Sequence, residues 1–548
     1  MRLRGRCATL LVTSSLALSS GFAQNSQPAP HIGPRVAEGA GGPKRFVPAL
    51  LEAFDLETAL RDLAYADGWY RSAGSDGYRA TLERVERRLR AAGFGSDERL
   101  ELYWLEEELP RPVWQPRSAS LTLRVEGQAR VLHAFAAPGD RDRVMLPEGA
   151  PSADVLGRPV FGLEHVQPGT VLVTTARLSS SLLKRAKARG AQAVLSSALF
   201  AFTIDPSGGR RHQDAILYTS VDPEWDLVPV AQISPRTQRA IEQAAAVSFG
   251  TTVALTAEVE EGPRRVRTLV AEVIGETIPG EAVVVPSHAQ EPGAGDNASG
   301  VAGMCAAACA LARELGEGNL AWPRRTLVFV WGDEIVQSTR WLEHTDRRAV
   351  AAISADMLGQ SAETGAIALL ERGPDPGAVA PIAPDEHTPW GAGEVAASEL
   401  EPNGLALVVR TALADVAERA GGWRTSENPW EGGSDHDVFL ERGTPAVLLW
   451  HFTDFTYHTS LDRLEMIDGE ELRRSCVAVI AAALAVASPE AGDLERYLAS
   501  NELERGLRVA AARDADLPDV AELWNEWCDG AAEWLRALCS AASEARGH

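Results

Sequence analysis

Basic charge, cysteine and long apolar runs are all in short supply in this chain of 548 residues, and each shortage removes a class of protein. Its 53 Lys and Arg residues face 76 Asp and Glu, a formal charge of −23. Binding nucleic acid without regard to sequence requires a basic surface that displaces phosphate counterions, so no nucleic-acid partner is expected. Six cysteines are too few for a disulfide-built scaffold. Cys305 and Cys309 stand one helical turn apart, but no second Cys or His pair accompanies them, and they read as small core residues. There is no internal repeat, and no Gly-x-Ser-x-Gly elbow of the kind that presents a serine nucleophile. The remaining composition, 45% hydrophobic and 24% charged, is that of an ordinary globular chain long enough for two or three structural units.

What is present begins with MRLRGRCATLLVTSSLALSSGFAQ: three arginines, an apolar stretch from Ala8 to about Leu18, and the small-residue pattern Gly21-Phe22-Ala23. That is the make-up of a secretory signal peptide over 1–23, cut after Ala23, and it predicts a secreted or periplasmic protein. The apolar stretch falls short of the roughly 20 residues that cross a bilayer, and no integral membrane segment is expected once the signal is removed. Residues 24–47, rich in Pro, Gly and polar side chains, read as a flexible leader.

Leu50, Leu51, Phe54, Leu60 and Leu63, then Leu82, Val85 and Leu89, recur at helical spacing and predict two amphipathic helices joined through GSDGYRAT. Between 115 and 265 the short β-type runs SLTLRV, GTVLVTT and AQAVLSS predict a separate small α/β unit. From 266 onward TLVAEVI, AVVVPS, TLVFVW, AAISADM and AIALLE alternate with helical segments, followed by TPAVLLW and the closing helix EELRRSCVAVIAAALAVA. Strands apolar on both faces and alternating with helices predict an α/β fold: a mainly parallel central sheet with helices on both faces. It is assigned to 48–114 and 266–488, interrupted by the insert 115–265 and followed by a helical extension at 489–548.

In such a sheet, functional groups gather where strands end. AVVVPSHAQ ends in His288, TLVFVWGDE in Asp333 and Glu334, and AAISADM in Asp356; GDNASG places Asp296 before a helix, and YHTSLD supplies His458 beyond the last buried strand. Singly, a strand-end Asp is most often a helix cap or turn residue, and a lone His a surface or satisfied interior residue. Together, two histidines and three carboxylates form the mixed nitrogen and oxygen set that two zinc ions use, with one carboxylate able to bridge both. Asp296 is the natural bridge, because Asn297-Ala298-Ser299-Gly300 fixes its backbone at a helix start.

The order SHAQ, GDNASG, WGDE, SADMLG, GGSDHDVFLERGTPAVLLW and YHTSLDRLEMID resembles the cocatalytic dizinc aminopeptidases of the MH clan, metallopeptidase family twenty-eight. Its members also include glutamate carboxypeptidase II, the transferrin receptor ectodomain and glutaminyl cyclases. The resemblance covers 266–488 and the helices near 48–98. It implies a zinc exopeptidase fold, a peptide substrate and two zinc ions per chain, with His288 and Asp356 holding one, Glu334 and His458 the other, and Asp296 between them. It implies Asp333 as general base and then acid, places Ser434, Asp435 and His436 in a loop supporting the site, and puts the insert where many relatives carry a protease-associated domain. Tyr457, beside His458, is a candidate oxyanion donor whose alternative role is packing.

Three features depart from the family pattern. Relatives commonly have His-x-Asp where this chain has His288-Ala289-Gln290, so an uncharged Gln290 stands in for the carboxylate near the metal ligand. His288 and Asp296 are unusually close in sequence, with AQEPGAG turning between them. The general base is Asp333 rather than the usual Glu, one methylene shorter. In the long segment 371–432, Asp385 and Glu386 read as solvated loop acids, the alternative being contact with a substrate amine. Two alternatives remain to an aminopeptidase: a catalytically inactive binding relative, and a one-zinc cyclase of the glutaminyl type, which would lack the insert.

Overall fold

A computed structural model describes residues 36–137, 139–225 and 228–544, with side chains through 540. The expected signal peptide, 1–23, and residues 24–35 of the expected leader lie outside the described residues. Those leader residues that are described pack onto the C-terminal helices, where the Asp493 carboxylate accepts from Gly42 N and from the Arg45 guanidinium, both at 2.7 Å.

The N-terminal region forms three helices rather than two. Val47–Ala53 stops at Phe54 because Asp55 caps the next helix, Leu56–Asp67, by accepting from Thr58 N. Ser75 caps Asp76–Ala91 in the same way through Tyr78 N, so most of GSDGYRAT lies inside a helix instead of joining two.

The main sheet has eight strands, in the order Leu100–Glu108, Arg265–Val273, Arg325–Gly332, Ile278–His288, Arg348–Ala355, Ala446–Phe452, Ile367–Glu371 and Thr425–Asn428. Its four central strands are mutually parallel. The sheet is mixed at its flanks: Arg265–Val273 runs antiparallel to the centre, and so do Ile367–Glu371 and its parallel neighbour Thr425–Asn428. The first reversal arises because TLVAEVI returns to AVVVPS through a short turn with no helix to carry the chain back across the sheet.

Alternate side chains of the central strands enter two cores, as a sheet covered on both faces requires. Val283, Val285, Phe329 and Ile353 face the helices Ala298–Gly316, Leu405–Arg419 and Gly469–Ala487; Val284, Val328 and Val330 face Trp341 and Phe439. Ala298–Gly316 is long and apolar enough to cross a membrane, but 94% of its apolar window is buried in this core. Cys305 and Cys309 lie within it, buried and unbridged.

A second, seven-stranded sheet is built from residues between Trp114 and Glu261, antiparallel in one half and parallel in the other. It has its own core around Leu121, Met145, Val173, Leu195 and Leu255. One of its loops reaches the main unit, where Leu217 bridges to Thr459 and Ser460 N donates to Ile216 O.

The helices Ala491–Asp514 and Pro518–Glu544 pack on each other and dock through buried ion pairs. Arg496 pairs with Asp415, Arg410 with Glu504, and Arg508 with Asp385, each at 2.6 Å. Asp385 is therefore not the solvated acid expected from its loop sequence: it is 3% exposed and also accepts from Arg372 at 2.6 Å, whereas its neighbour Glu386 is exposed. Removing one member of a buried ion network strands the others. Asp385→Ala is expected to destabilise the protein by about 3–5 kcal/mol, and Glu386→Ala by no more than about 0.5 kcal/mol, with thermal denaturation as the measurement.

Candidate metal centre

The parallel register sets three elements of the site side by side. His288 pairs with Gly332 across the sheet, so Asp333 and Glu334 emerge beside it, and Asp356 follows directly on Ala355 at the end of the strand on the other side. Asn297 caps Ala298–Gly316 by accepting from Gly300 N, and its Oδ1 also accepts from Met357 N, which ties the Asp356 strand end to the helix start. The Asp296–Asn297 peptide is cis.

The short segment between His288 and Asp296 is held from outside. The buried Arg71 guanidinium donates to the carbonyls of Ala289 at 3.1 Å and Gly293 at 2.7 Å, and Arg143 donates to that of Pro292 at 2.7 Å. Asp462 accepts from Gly295 N and Asp296 N, and a Cβ at Gly293 would collide with the Asp462 carboxylate. His458 arrives on a loop gripped by the second sheet, with Tyr218 N donating to His458 O at 2.6 Å. Three non-glycine residues with positive φ cluster here: Ile335 at 65°, Met357 at 54° and His458 at 51°. Each is a ligand candidate or the next residue after one, and such backbone persists only where its surroundings enforce it.

These restraints bring all five residues proposed as ligands together. His288 Nε2 stands 2.9 Å from Asp356 Oδ1, 3.7 Å from Glu334 Oε1 and 3.7 Å from Asp296 Oδ1. His458 Nε2 stands 3.0 Å from Asp296 Oδ2 and 3.1 Å from Glu291 Oε1. The two oxygens of Asp296 thus face different imidazoles. Glu334 lies with His288 and Asp356, and among the described residues it makes no ion-pair contact with His458. Two donors on one tetrahedral zinc, at bond lengths of about 2.0–2.1 Å, sit about 3.3 Å apart, so the observed spacings suit shared cations.

Unsatisfied hydrogen-bonding capacity also points to a metal. Among the described residues, His288 Nε2, Asp296 Oδ1, Asp356 Oδ1 and His458 Nε2 are buried without a hydrogen-bond partner. Unpartnered buried polar atoms are rare in folded proteins and call for an occupant. His288 Nε2 and Asp356 Oδ1 are close, yet their geometry is not that of a hydrogen bond between them, which suits two donors turned toward a third body. The donor set, imidazole nitrogen with carboxylate oxygen, is one that zinc accepts.

Burial raises the Asp296 and Glu334 carboxyls well above the ordinary carboxylate range, and the Glu291 carboxylate adds to both shifts. Asp333 is pushed up to about 7, by burial first and then by the Glu148 and Asp435 carboxylates. Asp356 ends below its ordinary value because the His288 imidazole and the Ser434 hydroxyl outweigh the effect of burial.

Residues 270–483 match the model of peptidase family M28. This segment belongs to peptidase family M28. Similar solved structures include a peptidase M28 precursor from Shewanella amazonensis SB2B, with TM-score 0.52 and 19% identity over 81% of this chain and 96% of that one. The zinc aminopeptidase BSAP from Bacillus subtilis has TM-score 0.49 and 16% identity, over 79% of this chain and 94% of that one. An aminopeptidase from Aneurinibacillus sp. strain AM-1 has TM-score 0.47 and 16% identity, over 80% of this chain and 96% of that one. At 19% identity the likeness to the Shewanella structure speaks to fold alone. No curated protein matches the chain.

Around these candidate ligands, the other residues singled out in the sequence have separate tasks. Gln290 does not replace the missing carboxylate at His288, whose Nδ1 has no hydrogen-bond partner; its Oε1 instead accepts from Glu334 N at 3.0 Å. Ser434 donates to Asp356 Oδ2 at 3.0 Å. Asp435 accepts from Ile335 N, Gln337 and Ser338, and so fixes the turn that carries Asp333 and Glu334. His436 faces away toward Glu371, at 3.0 Å. Tyr457 stacks on the His458 ring, with centroids 3.9 Å apart, and its hydroxyl accepts from Trp390 Nε1 at 3.3 Å. Sequence reading missed Glu291, in the short AQEPGAG segment, and the contribution of Glu148 and Tyr218 from the second sheet.

The raised carboxyls of this centre fix the sign of a pH effect. In the folded chain they bind protons at higher pH than in the unfolded one, so without metal the stability they contribute is lost as pH rises from the ordinary carboxylate range to about 7 and beyond. Metal-stripped protein is therefore expected to melt at higher temperature at about pH 5.5 than at about pH 8. Zinc-loaded protein reverses the order, because protons compete with zinc for the same atoms. Calorimetry checks both; a metal-free melting temperature that falls on acidification contradicts the account.

Proposed function

We propose that the chain is an exported aminopeptidase that uses two zinc ions, with Asp333 as the proton carrier. The observation that carries this reading is the division of the Asp296 carboxylate, Oδ2 facing His458 and Oδ1 facing His288, as a residue shared by two cations would be arranged. When bound there, zinc supplies Lewis acidity, lowering the pKa of water and polarising a carbonyl. The remaining chemistry belongs to the chain. Asp333 has its carboxyl raised to about 7, which suits a group that must both accept and release a proton near neutrality. It takes the proton from the attacking water and returns it to the departing amine. The Asp435 hydrogen bonds hold the turn that aims it. The second sheet, whose loop grips His458, is read as a protease-associated-like insert that completes the substrate cleft.

Asp333→Ala is expected to lower kcat about 100- to 10,000-fold on free-amine peptides while leaving metal content unchanged; Asp333→Glu keeps substantial activity. Near-normal kcat in Asp333→Ala with full metal occupancy removes Asp333 from the mechanism. N-blocked peptides should be poor substrates, and formation of a pyroglutamyl product from N-terminal glutamine would favour the cyclase. Export predicts that the mature protein begins at Gln24. N-terminal sequencing should read QNSQPAP, and a retained Met1 in the cytosolic fraction contradicts it.

A further inference from the structure

We infer that Glu291 is itself a metal ligand, completing the His458 side of the centre. The inference rests on the two-metal reading above and adds a residue to it. Glu334, the carboxylate otherwise paired with His458, lies with His288 and Asp356 instead. Glu291 occupies the vacant place, with its Oε1 3.1 Å from His458 Nε2 and a donor atom within 4.8 Å of both His288 and Asp296.

Three independent features support it. His458 Nε2 lies 3.0–3.1 Å from carboxylate oxygens on two sides, yet makes no hydrogen bond to either, so its lone pair is directed elsewhere. A cavity of about 10 Å³ sits among Tyr218, Glu291, Gly293, Asp296, His458 and Asp462, roughly the space of one small body. The backbone around Glu291 is fixed by Arg71 and Arg143 through the carbonyls of Ala289, Pro292 and Gly293, so the side chain is positioned rather than free to sweep solvent. One cation would then be held by His288, Asp356, Glu334 and Asp296, and the other by His458, Asp296 and Glu291. Three protein donors on the second ion is the number a catalytic zinc keeps, with its remaining position open. The short His288-to-Asp296 spacing thereby acquires a purpose: it brings a carboxylate of the connecting segment into the centre.

The test is zinc titration of the full chain against a chromogenic chelator, comparing wild type with Glu291→Gln, Glu291→Ala and Glu334→Ala. Wild type is expected to bind two equivalents. Glu291→Ala and the isosteric Glu291→Gln should keep one tight equivalent and weaken the other by more than the roughly 10- to 100-fold that loss of a merely supporting residue causes. Glu334→Ala should weaken the opposite site. Two tight equivalents in both Glu291 variants, or a loss within that 100-fold, overturns the inference while leaving the two-metal reading intact; a single equivalent in wild type overturns the reading itself. Circular dichroism of Glu291→Gln separates a folding defect from a binding one.

Discussion

Carboxylates that face one another inside a protein cannot all stay ionised without a compensating cation. Glu291, Asp296, Glu334 and Asp356 converge on two imidazoles, and burial disfavours their charge. The nearby buried guanidinium of Arg71 is already committed to backbone carbonyls. Protonation is one escape, and it is what the raised pKa values of Asp296 and Glu334 describe for the chain alone. A divalent cation is the other. Cations bound there would leave the carboxylates ionised and satisfy the unpartnered Nε2 atoms of His288 and His458.

Holding these side chains in place takes contributions from the whole molecule. The parallel register supplies His288, Asp333, Glu334 and Asp356; the start of Ala298–Gly316 supplies Asp296; and a loop of the second sheet grips His458. Arg71 belongs to the N-terminal helical region and Asp462 to the loop after His458, yet both act on the same few residues between His288 and Asp296. The strained backbone at Ile335, Met357 and His458 marks where that scaffold overrides local preference.

Much of this was legible in the sequence because strand ends announce themselves: an apolar β-type run that stops at a His or an Asp places that residue at the sheet edge. The central strands and the placing of His288, Glu334 and Asp356 follow from that rule, whereas Asp296 was read from a helix start and His458 from the loop beyond the last buried strand. Glu291 did not, since it sits in a Pro- and Gly-rich turn with no periodicity, and its position depends on Arg71, which is distant in sequence. Asp385 misled for the same reason: its loop reads as solvated, but its partner Arg508 comes from the C-terminal helices. The helix break at Phe54 was hidden because a caps-and-turns signal, Asp55, interrupts an otherwise continuous apolar stripe. Local patterns carry local structure, and burial decided by remote partners does not appear in them.

In the two-metal reading, Asp296 divides its carboxylate between two cations. Diffraction from crystals of the zinc-loaded protein, measured on both sides of the zinc absorption edge, tests it most directly. Two anomalous peaks are predicted, one between Asp296 Oδ1 and His288 Nε2 and one between Asp296 Oδ2 and His458 Nε2. A single peak, or a pair in which Asp296 touches only one, would contradict it.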